Sequence, residues 1–294
     1  MHYLPVTNVK KSMKLRQLTD RLAKTVFFLS TLFGLVVLVT LIIRILAQGM
    51  GWIDIAFITG KLSTEVDKAG VMGAILGTFW LIAVVAPVTF ILGVGTSIYL
   101  ELYAKPGWMK SFIQTNIANL SGVPSIVYGI LGLTIFVRAL NFGNVVLAGG
   151  LTMSLLILPI VIVASQEALR AVPQDLSEAS YGMGATKWQT IKNIILPQAL
   201  PGILTGAILS LSRAIGETAP LVVLGIPALL IPFPGSIFDK FTVLPMQIYY
   251  WTLDSALVAE YANLAAATII VLLIILFLLN LFAIIVRSKF QKRY

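Results

Sequence analysis

The sequence predicts an all-α membrane protein with six transmembrane helices. Three observations lead there. Of 294 residues, 58% are hydrophobic and only 11% charged, with a mean hydropathy of +0.95; soluble domains carry about 25% charged residues. Six apolar runs, roughly 26–46, 74–100, 112–136, 145–165, 202–224 and 262–286, are long enough to span, because a helix needs about 20 residues to cross about 30 Å of hydrocarbon. The runs are continuous rather than alternating, which favours helices over a barrel.

Lys10, Lys11, Lys14, Arg16, Arg21 and Lys24 precede the first run. A signal peptide also begins with such a charged region, but this run is too long for a signal core and no small-residue cleavage site follows. Residues 1–25 therefore read as a tail, and 26–70 as an uncleaved first span with its outer connection. The remaining spans fill 71–286, and 287–294 form a second tail. The second run is long enough to tilt, and Gly73, Gly77, Gly93 and Gly95 suggest close helix contacts. Pro87, Pro124 and Pro159 lie inside the second, third and fourth runs. They read either as ordinary kinks or, at Ser121-Gly-Val-Pro-Ser125, as a pliable point beside a pathway. The connection at 225–261 holds Pro227, Pro232, Pro234, Phe238, Phe241, Tyr249, Tyr250 and Trp251; Trp52 and Phe57 lie in the first connection. These aromatics read as interface anchors or as a docking rim for an external protein.

With the N-terminus inside, inner segments hold 15 of the 21 Lys and Arg residues, while outer segments hold 4: Lys61, Lys68, Arg138 and Lys240. That bias puts both termini in the cytoplasm. The net charge of +9 clusters beside the spans and builds no polar domain, which argues against nucleic acid. There is no cysteine and one histidine, His2, so disulfides, thiol nucleophiles and Cys or His metal clusters are excluded. No metal site and no cofactor of this chain is expected.

Arg213 and Glu217 stand four apart inside the fifth run. A charge at membrane depth is costly, so such residues face a bundle interior or a water-filled path. On one helix they share a face and can pair. Arg213 would lie about 16 Å above Gly202, near the bilayer middle if Gly202 marks the inner boundary. A guanidinium matches oxyanion geometry bidentately. The pair is either a structural ion pair or a weak relay site in which Arg213 attracts an anion and Glu217 limits how tightly it is held, since a path must also release. Gly216 and Thr218 belong to the same candidate pathway, and Gly216 with Pro220 would let the helix approach a neighbour and bend.

Residues 164–197 form the longest inner connection between spans. Pro173 starts a helical piece with Asp175, Ser177 and Glu178 near its beginning, where carboxylates suit the helix dipole. Gly182 and Gly184 interrupt it. Thr186 offers an N-cap, and Trp188, Ile191, Ile194 and Ile195 are spaced for one face. A short helix pair along the membrane surface is expected; the plainer reading is an amphipathic linker on lipid.

The pattern Glu178-Ala179-Ser180, Gly184, Ile194, Leu196-Pro197 resembles the EAA loop of ABC importer permeases, with Ser180 replacing the commoner alanine. Together with Asn116-Ile-Ala-Asn-Leu-Ser-Gly-Val-Pro-Ser-Ile-Val-Tyr-Gly129 and Ser212-Arg-Ala-Ile-Gly-Glu-Thr-Ala-Pro220, it looks like the A-type permease of phosphate-specific ABC importers, from about residue 70 to 225. Related molybdate and sulfate permeases tend to have Gly-Glu-Phe-Gly where this chain has Gly216-Glu-Thr-Ala219, which favours phosphate. The resemblance implies a type I importer architecture in a bacterial inner membrane. It also implies a second permease subunit, two cytoplasmic ATPase subunits using ATP and Mg, and an external phosphate-binding protein. Glu178, Ala179, Gly184, Ile194, Leu196 and Pro197 would seat the ATPase. Gly60-Lys61 lacks the upstream glycine of a P-loop, so ATP hydrolysis belongs to another chain. The main alternative is a permease of the same build for another oxyanion. A membrane enzyme would need a catalytic cluster, whereas acids other than Glu217 are scattered through loops; an ion channel leaves the EAA loop unexplained.

Overall fold

A computed structural model describes residues 6–227 and 233–290. His2, Pro232, Lys292 and Arg293 lie outside the described residues, as do the side chains of Lys10, Lys11 and Lys14. Regular structure among the described residues is helical, apart from one bridge between Val145 and Lys240. Residues 1–48 and 49–294 form two separate units.

The first unit is built on α1 (Val6–Gly49). The charged stretch before the first apolar run is thus helical from Val6 onward. Apart from Arg44, residues 26–46 carry no charge on any face, which suits a helix that crosses a membrane rather than one lying on its surface. Thr25, Thr31 and Thr40 donate back to the carbonyls of Arg21, Phe27 and Val36, which satisfies their hydroxyls within the helix.

The second unit holds α2 (Ile55–Thr59), α3 (Met72–Ile98) with a π-helical turn Tyr99–Tyr103, and α4 (Trp108–Leu120). Next come α5 (Ser125–Gly132) with its π-helical extension Leu133–Ala139, α6 (Val146–Arg170) and α7 (Gln174–Gly182). α8 (Lys187–Thr190) runs through π-helical Ile191–Ile195 into α9 (Leu196–Gly216). The chain closes with α10 (Ala219–Val223), α11 (Leu244–Asp254) and α12 (Tyr261–Phe290). Among the described residues, five helical segments are long and apolar enough to cross a membrane, and the α4–α5 pair makes a sixth if counted as one.

Two expected spans are not continuous. The third bends by 101° between α4 and α5. Pro124 has no N–H and biases Val123 away from helical backbone, and Gly122 is a poor helix former. At Pro87 and Pro159, where no such glycine precedes, the helices pass through. The fifth starts at Lys187, well before Gly202, and stops at Gly216. The expected surface pair is therefore a single short helix, α7, followed by the start of the span itself.

α6 is the innermost span, with 67% of its most apolar stretch buried. It lies tightly on α3: a Cβ at Gly93 would stand 2.7 Å from Val161 Cγ1. Gly77 is covered by the Thr242 carbonyl, whereas Gly73 makes ordinary contacts and Gly95 faces open space. Of the four glycines, only Gly77 and Gly93 mark close approaches. The central cluster joins Leu81, Val84 and Val85 of α3 with Met153, Leu156 and Ile157 of α6, Ala214 of α9 and Leu221 of α10.

A second cluster joins Phe57, Leu62 and Val71 to Leu244, Trp251 and Leu264. Phe57, Phe241 and Trp251 are buried in core, so they are neither interface anchors nor a docking rim; Phe238 remains exposed. Trp80 Nε1 donates to the Pro234 carbonyl at 2.9 Å, and the Leu244 N–H donates to Thr78 Oγ1 at 3.1 Å. Burial, with Tyr249 adding to it, raises the Tyr250 phenol above its ordinary pKa. It stays a neutral donor, 3.3 Å from the Ile226 carbonyl.

Gly93→Leu should force α3 off α6 and destabilise the bundle by about 1–3 kcal/mol. The check is the thermal unfolding midpoint in detergent, which should fall.

Candidate functional site

Arg213 lies in the last turn of α9. A cation suits the negative end of the helix dipole there. The helix stops because Gly216 is a weak helix former and Pro220 cannot donate to the carbonyl four residues back. Glu217 is extended, with φ −80° and ψ 128°, and Thr218 leads into α10. The Leu221 and Val222 N–H groups both donate to the Thr218 carbonyl at 3.0 Å.

The expected pair forms, but across the helix end rather than along a helix face. Arg213 Nε stands 3.4 Å from Glu217 Oε1. That is beyond the usual 2.7–3.2 Å of an N–H···O bond. The Arg213 side chain is 56% exposed and that of Glu217 22%, so the guanidinium is left open. Gly202, Leu209, Arg213 and Gly216 form the exposed stripe of the helix, while Ile203, Ala207, Ser210 and Ala214 form its buried stripe. No neighbour approaches Gly216. The bend expected there is present, but the close approach is not.

That approach occurs instead between α5 and α10. A Cβ at Gly129 would lie 2.8 Å from Pro220 Cα and 2.9 Å from its carbonyl oxygen. The segment after the first helix break therefore rests on the segment after the second. Tyr128 OH donates to the Leu120 carbonyl at 2.8 Å, tying α5 back across its own break. Val123 packs against the cluster that contains Ala214.

Two polar contacts from α12 set the rotation of α9. Ser212 Oγ lies 2.6 Å from Asn280 Oδ1, and Arg287 Nη1 donates to Thr205 Oγ1 at 3.1 Å. Sequence reasoning passed over Asn280 and counted Arg287 only as a tail cation. The available signal was a lone amide inside an apolar run, which usually faces another helix.

The loop between α6 and α9 is closely built. α7 ends in a Schellman turn: the Ala185 N–H donates to the Ser180 carbonyl at 3.2 Å and the Gly184 N–H to the Tyr181 carbonyl at 2.9 Å. Gly184 sits at φ +84° to make it. Thr186 and Gln189 then form a capping box. Ser180, the departure from the EAA pattern, is buried with its hydroxyl 2.9 Å from Thr190 Oγ1. Glu178, Ala179, Gly184 and Pro197 are exposed, and Ile194 and Leu196 are half-buried. Ile191 and Ile195 are buried, but Trp188 is exposed and leaves the face expected for it. Leu176, Tyr181 and Met183 are exposed as well.

Residues 91–294 match the family described as binding-protein-dependent transport system inner membrane component. The chain belongs to that family. Among other members, the phosphate transport system permease protein PstA 1 of Mycobacterium tuberculosis (strain ATCC 25618 / H37Rv) is 38% identical over 215 residues, covering 71% of this chain and 69% of that one. PstA of Yersinia pestis is 30% identical over 283 residues, covering 95% and 94%. The probable ABC transporter permease protein YqgI of Bacillus subtilis is 35% identical over 70% of each chain. A chain of a bacterial ABC transporter involved in alginate import superposes with a TM-score of 0.67, covering 97% of this chain and 100% of that one at 16% identity. A chain of the MetNI methionine transporter does so at 0.59, covering 76% and 96% at 18% identity. At such identities the likeness establishes the fold.

Within this inner membrane component, the pathway candidates Arg213, Gly216, Glu217 and Thr218 therefore occupy one helix break. The loop candidates occupy one capped turn and the helix start that follows it. Gly184→Asn should be tolerated better than Gly184→Val by about 1 kcal/mol, because asparagine visits left-handed backbone and a β-branched residue does not. Thermal midpoints of the two variants in detergent test the difference.

Proposed function

We infer that this chain is a permease subunit of an ATP-driven phosphate importer in a bacterial inner membrane. The observation that carries the reading is the open guanidinium of Arg213 at a helix break. Among the described residues, its only polar contact is the long one to Glu217. The relatives named phosphate permeases match at 30–38% identity over most of the chain. A planar fork with free donors suits a tetrahedral oxyanion. The loose carboxylate nearby offsets that attraction, so the ion is passed on rather than held.

In this reading an external phosphate-binding protein supplies affinity and selectivity. A second permease subunit completes the pathway along the exposed stripe of α9. Two ATPase subunits, using ATP and Mg, dock on the loop through Glu178, Ala179, Gly184, Ile194, Leu196 and Pro197. This chain contributes no catalytic residue and binds no cofactor. Both termini are cytoplasmic, as the Lys and Arg distribution requires when the α4–α5 pair counts as one crossing.

Arg213→Gln should stop phosphate uptake by vesicles containing the whole complex while leaving its assembly intact. Arg213→Lys should keep the charge yet transport poorly. The double variant Arg213→Gln/Glu217→Gln decides the role: a purely structural pair tolerates loss of both charges better than loss of one. Near-normal uptake by the double variant would leave only the structural role. Suppression by excess molybdate or sulfate as strong as by phosphate would reassign the substrate.

Topology is tested by cysteine labelling. Lys61→Cys and Lys240→Cys should react with an impermeant thiol reagent added outside, and Lys192→Cys should not; the reverse pattern overturns the orientation.

A further inference from the structure

The loop that carries α7 is fastened at both ends to one turn of a different span. At its entry, Arg170 Nε and Nη2 donate to Glu101 Oε1 and Oε2 at 2.9 and 3.0 Å, and Nη1 donates to Glu167 Oε1 at 2.9 Å. At its exit, the Lys187 ammonium lies 4.7 Å from the centroid of the Tyr103 ring. Glu101 and Tyr103 both belong to the π-helical turn that ends α3. Between the fastenings lies a cleft of about 540 Å³, bordered by Glu101 and Leu102 on the α3 side and by Gln174, Ser177, Glu178 and Tyr181 on the α7 side. α7 thus faces the end of α3 across open space and is held to it at its two flanks.

We propose that Glu101, Tyr103, Arg170 and Lys187 are positioning residues that clamp the coupling loop to α3, so that a displacement of α7 moves α3 as well as α9. This rests on the reading of α7 as the ATPase seat. The route to α9 is already continuous: Ser180 is hydrogen-bonded to Thr190, and α8 runs into α9 without a break. The route to α3 has no such covalent continuity, because residues 104–169 intervene. It is made by the two-pronged Arg170–Glu101 pair and the Lys187–Tyr103 contact, beside the apolar packing of Val94 with Leu169, Ile191 and Ile195. The pair has the geometry that gives a charge-assisted bond strength and direction, and Glu101 is only 17% exposed, which limits screening by water. α3 in turn packs against α6 at Gly93. A push on α7 therefore reaches the centre of the bundle, while α9 carries it to Arg213. Without the clamp, the loop would still bind its partner, but α3 would follow it only through apolar packing, which resists sliding less than a directed ion pair does.

The quantity that separates this from a merely structural role is phosphate moved per ATP hydrolysed, measured on the whole complex in vesicles. Glu101→Arg sets two guanidinium groups against each other and should lower that ratio at least about fivefold, with ATPase subunits retained at the parental stoichiometry. The charge swap Glu101→Arg/Arg170→Glu gives the new arginine two acids, the introduced one and Glu167, and should restore the ratio to within about twofold. Lys187→Gln keeps the Arg170 pair and should lower the ratio about twofold. An unchanged ratio in Glu101→Arg, or a swap no better than the single variants, overturns the clamp. If Glu101→Arg does not assemble, Glu101→Gln decides, and a parental ratio there overturns it equally. Failure of the parental complex to retain any ATPase would instead overturn the docking role of α7 on which the clamp rests.

Discussion

Where a helix breaks at membrane depth, its backbone groups lose their partners and no lipid atom replaces them. This chain breaks two of its spans and then seats the pieces on each other, α5 on α10, with Gly129 against the Pro220 backbone. Each break is also closed locally. At the first, the Gly122 and Val123 N–H groups donate to the Asn119 and Leu120 carbonyls, and Tyr128 adds a hydroxyl to the latter. At the second, the Glu217 N–H donates to the Ala214 carbonyl, and Thr218 supplies its carbonyl to two amides of α10. The seam between these pieces holds the charged turn in place: without it, Arg213 would sit on a continuous helix or on a loose end.

The orientation of that turn is fixed from the opposite side. Ser210 and Ala214 are buried, while Ser212 and Thr205 are held by Asn280 and Arg287 of α12. With those faces occupied, the stripe through Leu209, Arg213 and Gly216 is the one left open. The polarity of α12 at Asn280 thus serves a residue on another helix, which is how intramembrane amides usually justify their cost.

At the loop between α6 and α9 the same logic is carried by small polar groups. The Schellman turn at Gly184, the capping box at Thr186 and the buried Ser180–Thr190 bond make α7, α8 and the start of α9 a single stiff corner. A stiff corner transmits displacement, and a flexible loop would absorb it. The alanine common at position 180 in the EAA pattern could not make that hydrogen bond, so in this chain the substitution has a structural use.

Composition and run length determined that the chain is helical and membrane-spanning, because hydrocarbon thickness leaves few other solutions for such runs. Local chemistry also made the loop legible: Gly184 and Thr186 are readable as a turn and a cap because each acts on its own neighbours. The positions of Arg213 and Glu217 were visible because charges are rare in apolar runs. The glycine two residues before Pro124 set it apart from Pro87 and Pro159 in sequence, but tertiary structure decided the extent of the bend, 101°, by giving α5 a seat on α10. It also decided which glycines are contacts, which aromatics are core, and that Arg213 faces open space while Ser212 beside it is held. Those outcomes depend on what lies across the gap, and a single chain read in order contains no distances between its distant parts.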